Sequence, residues 1–390
     1  MSDLTAQIET MTDTLVAWRR DFHRHPELAF EERRTCDVIR EFLEGEGIEV
    51  AACGRTGLRG VLRGSLPGPT VALRADMDAL PVAELSDHDY VSENPGVMHA
   101  CGHDGHMAIL MGAARALAAR RDTLPGAVVL LFQPSEENPP GGARLMIEEG
   151  ALEGVDAIFG LHLWQPLATG VVGLRPGPIM AQADEFEVVV KGRGGHASQP
   201  EKCIDPVLVA SHVVVAAQTI VSRFANPLEP VVVSCTTIHG GRIHNIIPDS
   251  VTMTGTVRCF DPDTQRAVKQ RLGEICEKTA ALFGATAELA YNDGYPPVVN
   301  DPASVELVSR AAARELGEDA VQTVAPIMGG EDFAYYLQRV PGAFALLGMG
   351  DDRPHPHHSA LFDIDESVLP VGVRLMTAVA LEMLGGAGTP

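Results

Sequence analysis

Four stretches of this chain read as apolar runs that stop abruptly at polar residues: "TVALRADMD", "GAVVLLFQPSEE", "VDAIFGLHLW" and "GAFALLGMGDDRPHPHHS". Such runs predict buried strands of a mixed or parallel sheet, which is covered on both faces and therefore lacks the strict alternation of a half-exposed strand. Segments with helical periodicity, such as "GHMAILMGAARALAARR", lie between them. In open α/β sheets ligands bind beyond the carboxyl ends of the strands, so the four polar tails are expected to converge there.

Between about Asp184 and Gly294 the rhythm changes. "EFEVVVKG" predicts a strand, "DPVLVASHVVVAAQTIVSRF" a helix, and "PVVVSCTTIHGG" and "SVTMTGTVRCF" two strands. "DPDTQRAVKQRLGEICEKTAALFG" predicts a second helix and "ATAELAYND" a last strand. This β-α-β-β-α-β order is that of a ferredoxin-like α+β module. Strands with chemistry at their ends occur on both sides of it, so the module is read as an insertion. The fold class expected is α/β: a mixed-sheet domain of residues 1–183 and 295–390, interrupted by an α+β domain of residues 184–294. The Gly-rich C-terminal tail is expected to fray.

At 390 residues the chain exceeds one ordinary core, in keeping with two domains. Thirty Lys and Arg against 52 Asp and Glu give a formal charge of −22, which repels nucleic acid and anionic membranes and favours a small-molecule partner. Seven scattered cysteines without CxxC spacing suggest neither a disulfide framework nor a zinc ribbon, and fit a reducing cytoplasm. No signal-type segment is evident, and no run is expected to reach the ~18 apolar residues of a membrane span.

The densest chemistry lies in "MHACGHDGHMAIL", residues 98–110. Cys101 and His103 are soft and borderline metal donors two residues apart, with His106 a turn further on. Two other readings stand beside ligation. Cys101 as nucleophile with His103 or His99 as base is one, although residues two apart seldom meet that geometry and no GxSxG elbow surrounds the thiol. The other is packing, with Cys101 a small buried hydrophobe and His106 a core histidine. "FQPSEENPPGG" sets Glu136 beside Glu137. Adjacent side chains of an extended chain point opposite ways, so the two divide labour, one on a metal and one facing water as general base, or form an exposed acidic turn. His162 in "FGLHLW" is a ligand or a core residue beside Trp164. "HPHHSALFDIDE" offers His355, His357 and His358, as donors or as a solvated loop. Asp76 and Asp78 in "RADMDALP" orient a ligating histidine or cap a turn. That so many strand ends finish in Cys, His, Asp or Glu makes a two-metal site the leading expectation. Asp104 is expected to cap the following helix.

The ordered segments "RRDFHRHPELAFEE", "RADMDALP", "MHACGHDGHMA", "PSEE", "GLHLW", "KGRGGHASQP", "HNIIPDSVTMTGTVR", "MGGEDFAYY" and "HHSALFDIDE" resemble the M20 metallopeptidase family, in its amidohydrolase branch of hippurate, N-acyl-amino-acid and auxin-conjugate hydrolases. The resemblance runs from Trp18 to about Glu366. It implies a di-metal peptidase-like domain with an inserted lid, and a metal-dependent amidohydrolase that cleaves N-acyl amino acids to a carboxylic acid and a free amino acid. It further implies that Cys101, His103, Glu137, His162 and His358 ligate two divalent transition-metal ions (Mn, Zn, Ni or Co). His358 is preferred over His357 because it directly precedes "SALFDIDE", with Ala360 where the family has proline. Glu136 becomes the general base towards an activated water, and Asp76 a carboxylate behind the ligands. His196, in "GRGGHASQP", is expected to stabilise the oxyanion, in its own site or a partner subunit's. Asn245, Arg258 and Gly330 are expected to bind substrate, and the lid to make a homodimer or homotetramer. Two rivals follow: a dipeptidase or aminopeptidase of the same family, and an inactive metal-binding homologue, against which Glu136 beside Glu137 argues.

Overall fold

A computed structural model describes residues 3–350 and 355–385. The Gly-rich tail lies, from Gly386 on, outside the described residues. The chain divides into two compact units. One comprises Met1–Ile179, Val298–Ala325 and Asp332–Pro390; the other comprises Met180–Pro297 and Pro326–Glu331.

The first unit is built on an eight-stranded mixed sheet. At its centre the strands Pro125–Gln133, Leu66–Asp76, Ala157–Ala168 and Gly342–Gly350 lie side by side in that order, all parallel. Antiparallel neighbours flank them: Leu58–Arg63 and then Glu49–Ala52 at one edge, Val172–Leu174 at the other. Val321–Thr323 extends the second edge in parallel. These are the four runs expected from the sequence, and their near-continuous burial reflects a sheet covered on both faces. The helix His103–Ala118 is buried all round except at Arg115 and Ala118, as an apolar helix without a polar face must be. Gly105 allows its first turn to press on the sheet, because a Cβ there would come within 2.6 Å of Leu163 Cδ1. That approach sets His103 beside His162.

The second unit holds a four-stranded antiparallel sheet in the order Val231–Gly240, Ser250–Cys259, Gln182–Lys191, Thr286–Tyr295. Along Ser250–Cys259 buried positions alternate with half-buried ones, so one face packs and one is wetter. The helices Pro206–Thr219 and Pro262–Leu282 start on Asp205 and Asp261, whose carboxylates accept from Val207 N and Thr264 N, with proline at the first turn. Val188, Val190, Val209, Val213, Val251, Val257 and Leu272 form the core.

Two details differ from the sequence reading. Residues 326–331 cluster with the second unit instead of with 295–390, because Ala181 N donates to the carbonyls of Ile327 (3.1 Å) and Gly329 (2.9 Å). And, among the described residues, one helical stretch, the 19-residue Pro206–Phe224, is long and apolar enough to cross a membrane, with mean hydropathy 1.6 over an 18-residue window. Its inner face packs on the sheet through Val209, Val213 and Ile220, while Val207, Leu208, Val215, Val221 and Phe224 stand exposed. The exposed face also carries Ser211, His212, Gln218, Thr219, Ser222 and Arg223, so its apolar residues are interspersed with polar ones.

Candidate metal centre

Towards the carboxyl ends of the central strands of the first unit a group of donors gathers, buried at Cys101, His103 and His162 and exposed at His358. Cys101 Sγ lies 3.5 Å from His162 Nε2. His358 Nε2 lies 3.2 Å and His103 Nε2 3.9 Å from Glu137 Oε1. The donor atoms of Cys101, His103 and His162 lie within 4.8 Å of one another, as do those of Cys101, Glu137 and His358, and those of His103, Glu136 and Glu137. All five expected ligands and the expected base are therefore in one place.

What surrounds them decides which atoms are free. The Nδ1–H of His103 donates to the Asp78 carbonyl at 2.8 Å and that of His162 to the Leu163 carbonyl at 2.7 Å, a pairing that fixes each tautomer and turns Nε2 inward as a ligand. His103 Nε2 is buried and makes no hydrogen bond, and the buried Glu137 Oε1 has only the ion-pair contact of His358. A buried polar atom left unpaired costs about 1–3 kcal/mol, so the facing atoms call for a positive charge between them, which a metal ion or a proton on His103 supplies. The donor set, one thiol, three imidazoles and a carboxylate, suits a divalent transition metal.

The charge balance points the same way. Burial lowers the basicity of His103, but Asp76, Asp78 and Glu137 more than reverse this and hold its pKa at about 10. Burial, together with the charges of Glu137 and Glu136, pushes the Cys101 thiol well above its usual range. A thiolate nucleophile is thus disfavoured where the carboxylates stand unscreened, whereas a cation would favour the deprotonated thiol. Burial holds His162 neutral, the form that ligates.

Several local expectations are corrected. Glu136 and Glu137 do not point apart: the chain bends after Ser135, whose φ is 53°, and the Asp78 carboxylate accepts both Glu136 N (2.8 Å) and Glu137 N (3.0 Å). Both carboxylates thereby reach the same histidine. Asp76 stands behind the ligands mainly through His106: its Oδ1 lies 2.6 Å from His106 Nδ1, His106 Nε2 in turn accepts from Leu163 N at 2.9 Å, and Asp76 Oδ2 is 3.7 Å from His103 Nε2. Asp76 thus acts on the strand that carries His162. Asp104 does not cap its helix, whose N-cap is Gly102; it pairs with Arg19 (2.8 Å) and His23 (2.7 Å). His162 lies inside the strand Ala157–Ala168, not beyond its end.

His357 bonds the Leu163 carbonyl at 3.0 Å and stacks on Trp164, while the neighbouring His358, at φ 66°, turns to Glu137. His99 is buried away from the group, with both ring nitrogens unbonded. The sequence reading missed Arg74, which lies fully buried and pairs with Asp76 (2.6 Å) and Asp332 (3.0 Å) beneath the site. Its signal was an arginine inside an otherwise apolar strand.

In the second unit His196 is exposed, with Nδ1 2.8 Å from Ser198 Oγ, and it pairs across a short ladder with Ile246, next to Asn245. Arg258 is half-buried; a Cβ on Gly330 would lie 3.6 Å from its Nη1. Arg258 sits at the Ala183 end of the sheet and Ser250 at the Lys191 end, about 26 Å apart at ~3.3 Å per residue. His196 and Asn245 lie towards the Ser250 end. The structure thus brings these four residues together as two pairs, not as one group.

The model of the family described as Peptidase family M20/M25/M40 matches residues 72–382. The N-acetyl-L-cysteine deacetylase of Bacillus subtilis is 43% identical over 363 residues, covering 93% of this chain and 86% of its own length. The IAA-amino acid hydrolase ILR1-like 2 of Arabidopsis thaliana is 43% identical over 379 residues, covering 95% and 85%. Among solved structures, the Bacillus subtilis YXEP protein, described as a dinuclear metal binding peptidase of the M20 family, superposes with a TM-score of 0.85 at 37% identity over 97% of this chain and 99% of that one. The chain belongs to peptidase family M20/M25/M40. Within it, the chain is a metal-dependent hydrolase of amide bonds.

Proposed function

We propose that the protein hydrolyses N-acyl amino acids to a carboxylic acid and a free amino acid at the Cys101–His103–Glu136–Glu137–His162–His358 cluster. The observation that carries this is the convergence of the donor atoms of Cys101, His103, Glu137, His162 and His358 beside a second carboxylate, Glu136. Cys101, His103, Glu137, His162 and His358 would hold two divalent metals, which would supply Lewis acidity towards the amide carbonyl and the attacking water. Glu136 removes the proton of the attacking water and returns it to the departing amine. Asp78 keeps Glu136 in place through its backbone N–H, and Asp76 and His106 steady the strand of His162. Relatives named as a deacetylase and an amino acid hydrolase support an acyl-amino acid, while relatives named as carboxypeptidases, 40% and 39% identical, keep a peptide as the second reading.

His196 and Asn245 are assigned to oxyanion stabilisation, and Arg258 and Gly330 to the substrate's carboxylate, for which the guanidinium fork is suited. The distance between the two pairs supports action of His196 and Asn245 in a partner subunit's site, within a dimer formed by the second unit. The exposed apolar residues of Pro206–Phe224, Val207, Leu208, Val215, Val221 and Phe224, support that dimer. The bound ions are of the Mn, Zn, Ni or Co class, and the enzyme works in the cytoplasm. Hippurate, N-acetyl amino acids and dipeptides assayed side by side test the assignment; turnover of dipeptides alone overturns it.

A further inference from the structure

A second donor cluster lies in the first unit. His23 comes from the helix Thr12–Arg24, and Glu84 and His88 from the segment that follows the strand Leu66–Asp76. Glu84 Oε1 faces His23 Nε2 at 3.3 Å and His88 Nε2 at 3.1 Å, and the three atoms lie within 4.8 Å of one another. The side chains of His23 and Glu84 are 0% and 2% exposed, and that of His88 17%.

The other atoms of these groups are already used. Glu84 Oε2 accepts from Ser92 N at 2.7 Å. His23 Nδ1–H donates to Asp104 Oδ2 at 2.7 Å, with Arg19 Nη2 3.3 Å from the same nitrogen. The His88 ring stacks on Tyr90 with centroids 3.7 Å apart and planes 13° from parallel, and neither of its nitrogens makes a hydrogen bond. One carboxylate oxygen and two imidazole nitrogens therefore converge. Behind one imidazole stands a carboxylate, the arrangement that orients a metal-bound histidine and raises its basicity. Ligand atoms around a tetrahedral ion with bonds of ~2.0–2.1 Å lie roughly 3.3–3.4 Å apart, close to the two separations found here. Without an ion, both contacts need a proton on Nε2: His88 as its neutral Nε2–H tautomer, and His23 charged, because its Nδ1–H already goes to Asp104.

We propose that His23, Glu84 and His88 form a further divalent-metal site, of the zinc class, separate from the catalytic centre. It clips the segment carrying Glu84 and His88 to the helix Thr12–Arg24. Through Asp104 it also braces the first turn of the helix that begins at His103. The ion adds bonds only the folded chain can make, so it stabilises the fold without touching the substrate.

The test is a zinc count. Full-length protein is stripped with a chelator, reloaded with Zn²⁺, freed of excess and analysed by mass spectrometry of the metal, for the wild type, His88→Gln and His88→Phe. The phenylalanine keeps the stacking on Tyr90 and removes the ligand. Both variants are expected to hold about one zinc per chain fewer than the wild type, to retain amide hydrolysis, and to lose part of the zinc-dependent rise in melting temperature. The same loss is expected in a Cys101→Ser, His103→Ala background, which isolates this site from the catalytic one. Zinc counts unchanged by either substitution at His88 overturn the proposal, leaving a proton shared with Glu84 as the occupant. A wild type that holds no more zinc than the catalytic centre takes overturns it equally.

Discussion

Asp78 is the residue on which the geometry of the site most depends, and Asp78→Asn measures that dependence. The side chain is 1% exposed and its carboxylate accepts two backbone N–H groups, those of Glu136 and Glu137. Asparagine matches the volume but offers one acceptor oxygen, and its amide nitrogen would confront the second N–H. Orphaning a buried N–H costs about 1–3 kcal/mol, and the surviving bond loses its charge assistance. The expected destabilisation is about 2 kcal/mol, which for a unit of this size lowers the melting temperature by roughly 4–8 °C. If the loop relaxes to avoid that cost, Glu136 and Glu137 move off the histidines, and misplacement by ~1 Å can cost about 10²-fold in rate. Thermal melts and kcat on an N-acetyl amino acid, with metal in excess, read both outcomes. A variant within 1 °C and threefold of wild type would refute the reasoning that Asp78 holds the two glutamates.

Three further outcomes follow. Arg74→Met strips Asp76 and Asp332 of their buried counter-charge and is expected to cost about 3–5 kcal/mol, read as a fall in melting temperature. Burial raises the Glu32 carboxyl from 4.5 to about 7 while it accepts from Ser135 N and Thr56 Oγ1. The neutral form is thus favoured in the folded chain, and stability is lost as pH rises from about 4.5 to 7, by at most ~3 kcal/mol. Glu32→Gln should flatten that part of the melting-temperature profile, and an unchanged slope contradicts the assignment. Mixing inactive Glu136→Gln protein with inactive His196→Ala protein should restore part of the activity if His196 serves a partner subunit, and none if it serves its own chain.

Much of this architecture could be read from the chain because the physics was local. An apolar run that ends in a donor specifies a buried strand and a candidate ligand together, and all four such runs became adjacent parallel strands. The module order between residues 184 and 294 was legible because each turn and cap has its own chemistry, as at Asp205-Pro206 and Asp261-Pro262. What could not be read rests on contacts between residues far apart in sequence. The direction of Glu136 and Glu137 is decided by Asp78, 58 residues earlier. Asp104 looks like a helix cap until Arg19 and His23 arrive from the helix Thr12–Arg24 to claim it. Residues 326–331 join the second unit through two carbonyls that accept from Ala181, a contact without periodicity or composition to announce it.

The measurement that bears most directly on the central claim is Glu136→Gln, with metal content and turnover determined on the same preparation. Glutamine keeps the size and hydrogen-bonding reach of the side chain but removes its ability to take a proton. The account predicts a full complement of ions in the catalytic centre and a kcat on N-acyl amino acids reduced by about 10³-fold, within the span assigned to general acid–base groups. Turnover within tenfold of wild type at full metal occupancy would contradict it.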